Sequence, residues 1–295
     1  MKTVIIDKKD IILKFDQNSI KLENRSIPYK HIDTLVLNHK QSLQTSDILR
    51  LTKNNISTLI VSAFNDHFSL IHSANAKNSH IKLAQFSYYP HSLEYAKYII
   101  KHKLINHKLH LKRYDILLDI SSQRDQITKA TSTNELLGIE GSFAKEYFKH
   151  FFTLLPSSLH KNKRSKQPPL DPINATMSYW YHLYYYFITL QLLSYGFEPS
   201  IGYLHKPFRS HYALSSDLLE LFRAQINEAV IMLFHTQELQ KENFTFKNGA
   251  VYLRYEGRKK VWSHFVALLE VLKPKLNREI SKLRRSIEYE ENTFI

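Results

Sequence analysis

Cysteine is absent from this 295-residue chain. That excludes a disulfide framework, a thiolate zinc site and a cysteine nucleophile, so any metal must be held by His, Asp or Glu. A reducing compartment is permitted, and a cytoplasmic location is expected. Glycine occurs only 6 times and proline 9 times, which excludes collagen-like, low-complexity and turn-dense propeller architectures. No glycine precedes Gly138, so Asn and Asp must supply the early turns through local side-chain bonds. Neither a nucleophile elbow nor a Gly-rich phosphate loop occurs. The first 15 residues have no long apolar run, being interrupted by Asp7, Lys8, Lys9 and Asp10, and a signal peptide is not expected. Acidic residues are also scarce. Asp and Glu total 27 against 41 Lys and Arg, a net charge of +14. Such a chain attracts polyanions, nucleic acid foremost, although charge alone carries neither sequence specificity nor chemistry.

What is present divides the chain in two. Val4–Ile6, Ile11–Phe15, Ser19–Leu22, Thr34–Leu37, Thr58–Val61 and His67–His72 are short β-rich runs. Polar turn clusters separate them at Asp7–Asp10, Asp16–Asn18, Glu23–Ser26 and Asn65–Asp66, and Asp47–Asn54 reads as a short helix. The fold class expected is α+β: a small N-terminal antiparallel β-domain over residues 1–80, then a larger, mainly α-helical domain over residues 81–295. After Pro90 the period becomes helical. Leu93, Ala96, Ile100, Leu104, His107 and Leu111 share one face, and Lys97, Lys101, Lys108 and Lys112 another. That lysine row suits a phosphate backbone and equally suits an ordinary solvated face.

Met177–Phe197 is 21 residues without Asp, Glu, Lys or Arg, long enough to span a bilayer. Its six Tyr, with His182 and Gln191, favour a buried helix of a non-membrane protein instead. Further helices are expected over Asn174–Tyr195, Ser216–His235 and, interrupted at Pro274, from about Lys259 to Glu288. Lys247-Asn248-Gly249 marks a hairpin within Phe244–Tyr255. Pro156–Pro172 reads as a loop carrying Lys161, Lys163, Arg164 and Lys166, either a mobile DNA-contacting segment or a disordered connection.

Two places offer chemistry. Gly138 and Gly141 bracket Glu140, and Gly202 lies three residues before His205. Small residues allow close approach, while a pair of tight helix-end turns accounts for these three glycines without function. Ser215-Ser216-Asp217-Leu218-Leu219-Glu220 reads first as an N-cap with two first-turn carboxylates. At i, i+3 spacing, Asp217 and Glu220 also project from one helical face. Together with His205 and Glu140 they form an oxygen-plus-imidazole set that suits Mg²⁺ or Mn²⁺.

The combination resembles the CRISPR-associated integrase family, the metal-dependent DNA nuclease and integrase of spacer acquisition. The resemblance runs over residues 90–265 in the family's order. It is carried by Ala96-Lys97-Tyr98-Ile99-Ile100 with Lys103 and Asn106, then by Leu137-Gly138-Ile139-Glu140-Gly141. Pro168-Pro169-Leu170-Asp171-Pro172-Ile173-Asn174-Ala175 with Ser178-Tyr179 follows. Gly202-Tyr203-Leu204-His205, Asp217-Leu218-Leu219-Glu220-Leu221-Phe222-Arg223, Asn248-Gly249 and Gly257-Arg258-Lys259 complete it. His107 stands where the family often has Gln, and the N-terminal part lacks the family's Gly turns.

The resemblance implies that Glu140, His205 and Glu220 are ligands of Mg²⁺ or Mn²⁺. It makes Asp217 the neighbouring catalytic carboxylate, either supporting those ligands or holding another ion. Arg223 would pair with a carboxylate or a phosphate, and Asn174 would bond backbone groups that support the site. Lys97, Lys101, Lys161, Lys163, Arg164, Lys166 and Arg223 are the candidate DNA contacts. The implied partners are double-stranded DNA (spacer precursor and CRISPR repeat), a second copy paired through the β-domain, and a small companion adaptation protein in a heterohexamer. No membrane partner is implied. The implied reaction is 3′-hydroxyl attack on a phosphodiester, reversible on branched DNA. Two other readings share the charge: a non-catalytic nucleic-acid-binding protein, and a related mobile-element integrase.

Overall fold

The computed structural model describes residues 2–6, 11–23, 25–38, 41–61, 68–73, 79–208 and 211–291. The turn clusters expected at residues 7–10 and 65–66 lie outside them. The chain divides into two compact units, Met1–His80 with Thr189–Phe197, and Ile81–Ile188 with Glu198–Ile295.

The first unit contains β1 (Lys2–Ile6), β2 (Leu13–Phe15), β3 (Ser19–Leu22), β4 (Arg25–Pro28), β5 (Ile32–Asn38), α1 (Thr45–Lys53), β6 (Ser57–Val61) and β7 (Phe68–Ile71). The α+β order is as expected, but the β-part is not purely antiparallel. One sheet has the order β1-β5-β6-β7, in which β1/β5 and β5/β6 are parallel and β6/β7 antiparallel. A separate sheet, β2-β3-β4, is an antiparallel meander. The physical reason lies in the connections. Parallel neighbours need a crossover, and the β2–β4 meander and α1 supply two. Ile32, Thr34, Leu35, Val36 and Leu37 of β5 are all buried, as befits a central strand covered on both faces.

The rest of the chain is mostly helical: α2 (Ser79–Ser87), α3 (Ser92–Lys112), α4 (Ser121–Lys129), α5 (Thr133–Thr153), α6 (Pro172–Ser194), α7 (Ala213–Glu220), α8 (Arg223–His235) and α9 (Tyr255–Glu291). The hairpin β8 (Phe244–Lys247) and β9 (Ala250–Leu253) precedes α9. Its turn is Asn248-Gly249, both at positive φ (51° and 73°), the pairing a two-residue hairpin favours. Asn55, Asp115 and Asn162 also adopt positive φ, so Asn and Asp do serve as turn residues here.

In the second unit α3 packs against α4, α5, α7 and α8. Residues of α6 from Ile173 to Ile188 are buried almost all round, with Trp180, Tyr184 and Phe187 at the centre. No helix of the described residues is long and apolar enough to cross a membrane.

Several sequence expectations change. The expected helix over Ser216–His235 is two helices, α7 and α8, broken at Leu221-Phe222. Ser215 and Ser216 lie inside α7, whose N-cap is Tyr212, so they cap nothing. Gly138 and Gly141 are not helix-end turns; both lie within α5 and are exposed. Helix α9 also runs through Pro274 without a break. Val261, Phe265, Leu269, Leu272, Leu276, Ile280 and Leu283 are buried on both sides of it, and that burial outweighs the lost backbone bond.

Candidate active site

Helix α3 supplies the floor of the site. Lys103, His107 and His110 follow at i, i+4 and i+7 and all are buried. The Lys103 ammonium meets the Glu140 carboxylate from α5 and lies 2.5 Å from Glu220 Oε2 at the end of α7. Arg223, at the start of α8, donates from Nε to the same Glu220 oxygen at 2.8 Å. Two carboxylates and two cations from four helices thus form one cluster.

The break between α7 and α8 makes this possible. Helix ends leave carbonyls without partners, and Asn106 Nδ2 donates to the Leu221 carbonyl at 2.8 Å. The break is thereby pinned to α3, with Glu220 on one side and Arg223 on the other. Burial would push the Glu220 carboxyl up, but the charges of Arg223 and Lys103 override it and hold the group well below the usual carboxylate range. Arg223 is held above its ordinary value by Glu220 despite burial.

His205 is fixed by Asp217. The fully buried Asp217 carboxylate accepts the backbone N–H of Tyr203 (2.6 Å), Leu204 (3.0 Å) and His205 (2.9 Å), and the His205 ring Nδ1 at 2.7 Å. A carboxylate only accepts, so Nδ1 carries the proton, and in the neutral ring Nε2 keeps its lone pair. Burial pulls the ring's pKa down, and Asp217's bond and charge outweigh it, leaving it raised. The turn sits so close to α7 that a Cβ on Gly202 would lie 2.8 Å from the Ala213 backbone carbon and from the His205 carbonyl oxygen.

Behind the cluster runs a second layer of polar contacts. The Arg223 guanidinium lies 4.3 Å from the centroid of the Tyr181 ring. The Tyr181 hydroxyl donates to Asn227 Oδ1, and Asn227 Nδ2 donates to the Tyr147 hydroxyl at 2.9 Å. Tyr147 lies 2.9 Å from His110 Nδ1, whose Nε2 is 3.0 Å from Glu228. His107 stacks edge-on to Tyr147 with centroids 4.2 Å apart. Burial, aided by the Lys103 charge, lowers its pKa to about 3.

Glu140, His205, Glu220 and Arg223 open into one cleft of about 900 Å³. Its walls bring seven cations, Lys103, Lys145, Lys149, Lys163, Arg164, Lys166 and Arg223, against only three carboxylates, Glu140, Glu146 and Glu220. The excess is felt locally: the cleft wall partly shields the otherwise exposed Lys166 from water, and this and the neighbouring Arg223 charge both lower its pKa. Phe148 also lines the cleft.

The basic loop is tied down by hydrogen bonds to Asn174 and Ser178. Asn174 Nδ2 donates to the Lys163 carbonyl (2.9 Å) and to Asp171 (2.7 Å), and its Oδ1 accepts from Ser165 N (3.0 Å) and Arg164 (2.8 Å). Arg164 also reaches Ser178 Oγ at 3.1 Å, so its guanidinium is spent on holding the loop, and burial lowers its pKa to about 10. Lys163 and Lys166 remain exposed on the cleft wall, and Lys161 is exposed outside the lining. Lys97 and Lys101 on α3 do not line the cleft; Lys97 pairs with Glu94 at 3.2 Å.

Glu140, Glu220 and His205 are therefore brought to one cleft, and Asp217 is placed as the group that orients His205. The donor set, two carboxylates and an imidazole, fits a hard divalent cation. A cation already stands where the carboxylates converge, the Lys103 ammonium. Among the described residues no three His, Asp or Glu side chains stand together as a ready-made metal site.

Tyr181, Lys145 and Lys149 escaped the sequence reading, and Lys103 carried no role in it. For Lys103 the signal was available: it sits among Ala96, Ile100, Leu104, His107 and Leu111 on the buried face of α3. A lone lysine in such a row needs an anion to meet.

A CRISPR-associated endonuclease Cas1 from Thermodesulfovibrio yellowstonii is 30% identical over 284 residues, covering 89% of each chain. Among solved structures, a Cas1 protein from Thermotoga maritima superposes with a TM-score of 0.87 at 20% identity, covering 97% of both chains. A casposase bound to integration product superposes with a TM-score of 0.79 at 24% identity, covering 91% of this chain and 83% of that one. The family model described as CRISPR associated protein Cas1 matches residues 3–267, and the chain belongs to the Cas1 family.

Proposed function

We propose that this protein is a Mg²⁺- or Mn²⁺-dependent DNA endonuclease and integrase that inserts spacer DNA into a CRISPR array. The observation that carries the reading is the convergence of Glu140 and Glu220 on one cationic position in a basic cleft, beside a histidine oriented by Asp217. Glu140, Glu220 and the His205 Nε2 would hold the ion. When bound, such an ion polarises a phosphoryl oxygen and stabilises the leaving oxygen. The chain's own residues do the rest. Lys163 and Lys166 from the loop before α6 and Lys145 and Lys149 from α5 hold phosphates by charge. Arg223, fixed over Tyr181, keeps Glu220 ionised and in place. A 3′-hydroxyl brought to this floor attacks a phosphodiester in line, one P–O bond forming as another breaks. Water in place of the hydroxyl gives cleavage, and the reverse joining resolves branched DNA.

The casposase relative, seen with its integration product, supports joining rather than cleavage alone. The partners in this reading are duplex DNA, a second copy paired through the β-rich unit, and the small companion adaptation protein.

The test uses a branched DNA that mimics a half-integrated spacer, with Mn²⁺, Mg²⁺ or EDTA, and Glu140→Ala beside wild type. Metal-dependent resolution that disappears in Glu140→Ala is expected. Tight DNA binding without strand chemistry in any metal would refute the enzyme reading and leave a binding protein.

A further inference from the structure

We infer that the Lys103 ammonium is a built-in counter-ion that holds the Glu140 and Glu220 carboxylates together in the absence of a divalent ion, and that such an ion enters by exchange against it. The inference rests on the metal-dependent reading above and adds a role for a residue that the reading does not use.

The geometry is specific. The Lys103 side chain is 5% exposed, and its nitrogen contacts carboxylates from two different helices. Among the described residues, Lys103 is the only hydrogen-bond partner of Glu140. Glu220 has a second cation in Arg223, on the oxygen that Lys103 also uses. Arg223 is a rigid, permanently charged fork stacked on Tyr181. Lys103 is a point charge on a flexible four-carbon stem, and it lines the open cleft. One cation of the cluster is fixed and the other is able to withdraw.

Burying a lysine in an apolar helix face is unfavourable unless anions meet it. Here they do, and each gains from it. Without the ammonium, Glu140 and Glu220 would face each other as like charges, and Glu140, 24% exposed, would turn to solvent. A divalent ion at the same place serves both carboxylates with twice the charge. Its binding is opposed by the contacts the ammonium must give up and by repulsion between the ion and the displaced ammonium. Removing Lys103 therefore has two effects of opposite sign: the metal-free protein loses stability, and the divalent ion binds more tightly. A lysine that merely positions the ligands would show the reverse in binding, because its loss would loosen them.

The experiment titrates full-length, DNA-free protein with Mn²⁺ and reads free aqueous Mn²⁺ by its electron paramagnetic resonance signal. Thermal unfolding is followed with and without the ion. Wild type, Lys103→Met, Lys103→Arg and Glu140→Gln are compared. Wild type is expected to bind Mn²⁺ at a site lost in Glu140→Gln. Lys103→Met is expected to bind at least about tenfold more tightly, with a lower melting temperature in EDTA and a larger gain on adding Mn²⁺. Lys103→Arg, whose fork cannot withdraw as freely, is expected to bind more weakly than wild type. Equal or weaker binding by folded Lys103→Met overturns the exchange. Should that variant not fold without metal, Lys103→Gln, which also removes the charge, takes its place: tighter binding supports the exchange, and equal or weaker binding overturns it. If wild type shows no Glu140-dependent Mn²⁺ site, the metal-dependent reading fails and the exchange with it. Retained wild-type binding without the Lys103 effect defeats the exchange alone.

Discussion

Asp217→Asn separates support from chemistry. The Asp217 carboxylate accepts four hydrogen bonds, three from consecutive backbone N–H groups and one from the His205 ring, and it is wholly buried. An asparagine keeps the shape but turns one acceptor into a donor. Whichever way the amide faces, its NH₂ meets at least one N–H that also donates, and the charge that strengthens every bond is gone. Breaking a buried, charge-assisted cluster of this kind costs about 3–5 kcal/mol. For a unit of this size that corresponds to a fall in melting temperature of about 6–20 °C. Glu140→Gln is the control. Glu140 is partly exposed and has Lys103 as its hydrogen-bond partner, so its amide costs about 1–2 kcal/mol, as for one charged hydrogen bond weakened. The assay is calorimetric unfolding of both variants beside resolution of branched DNA. Asp217→Asn should lose much stability, and activity through a misoriented histidine. Glu140→Gln should lose activity with a smaller fall in melting temperature, about 2–8 °C. An unchanged melting temperature for Asp217→Asn would refute the claim that this carboxylate organises the His205 turn.

Other expectations follow from the same geometry. His107 is buried with its pKa lowered to about 3 from 6.5. The unfolded chain takes up a proton below 6.5 that the folded one refuses, so this stability is present above pH 6.5 and is lost as pH falls towards 3. The loss is about 2 kcal/mol at pH 5, and His107→Gln should remove it, read as a smaller drop in melting temperature between pH 7.5 and pH 5. Gly202→Ala must push a Cβ into the Ala213 backbone, at about 1–3 kcal/mol. It should lower strand-transfer rate while leaving DNA affinity near wild type, both measurable on one branched substrate. Neutralising Lys145, Lys149, Lys163 and Lys166 together should flatten the plot of log affinity against log salt by about 0.7–0.9 for each phosphate left without its lysine. An unchanged slope would remove the cleft walls from the DNA interface.

Much of this was legible in the residues, and the exceptions have physical causes. Period and turn chemistry gave α3 and the Asn248-Gly249 hairpin, because both signals are local. The parallel pairing of β1, β5 and β6 is not local. Its trace was present in Thr34–Leu37 and Thr58–Val61, apolar along their length rather than alternating, as strands covered on both faces are. The polar turn clusters between the runs point instead to an antiparallel domain. The split between α7 and α8 left no Gly or Pro at Leu221-Phe222. What stabilises it is Asn106, more than 100 residues earlier, and no window along the chain contains both.

The site shows the same limit from the other side. Glu140, His205 and Glu220 are singled out by chemistry and resemblance, yet the resemblance leaves two roles open for Asp217. Its four donors favour the supporting role. A carboxylate whose oxygens are already occupied by three backbone N–H groups and an imidazole has little capacity left for an ion, whereas Glu140 meets a single ammonium. The division of labour among the acidic residues is therefore set by what each already holds. Asp217 is bound by the backbone, Glu220 is shared by two cations, and Glu140 is held by one cation on a flexible stem. Of the three, Glu140 gives up least on meeting a metal ion, and its replacement separates chemistry from folding most cleanly.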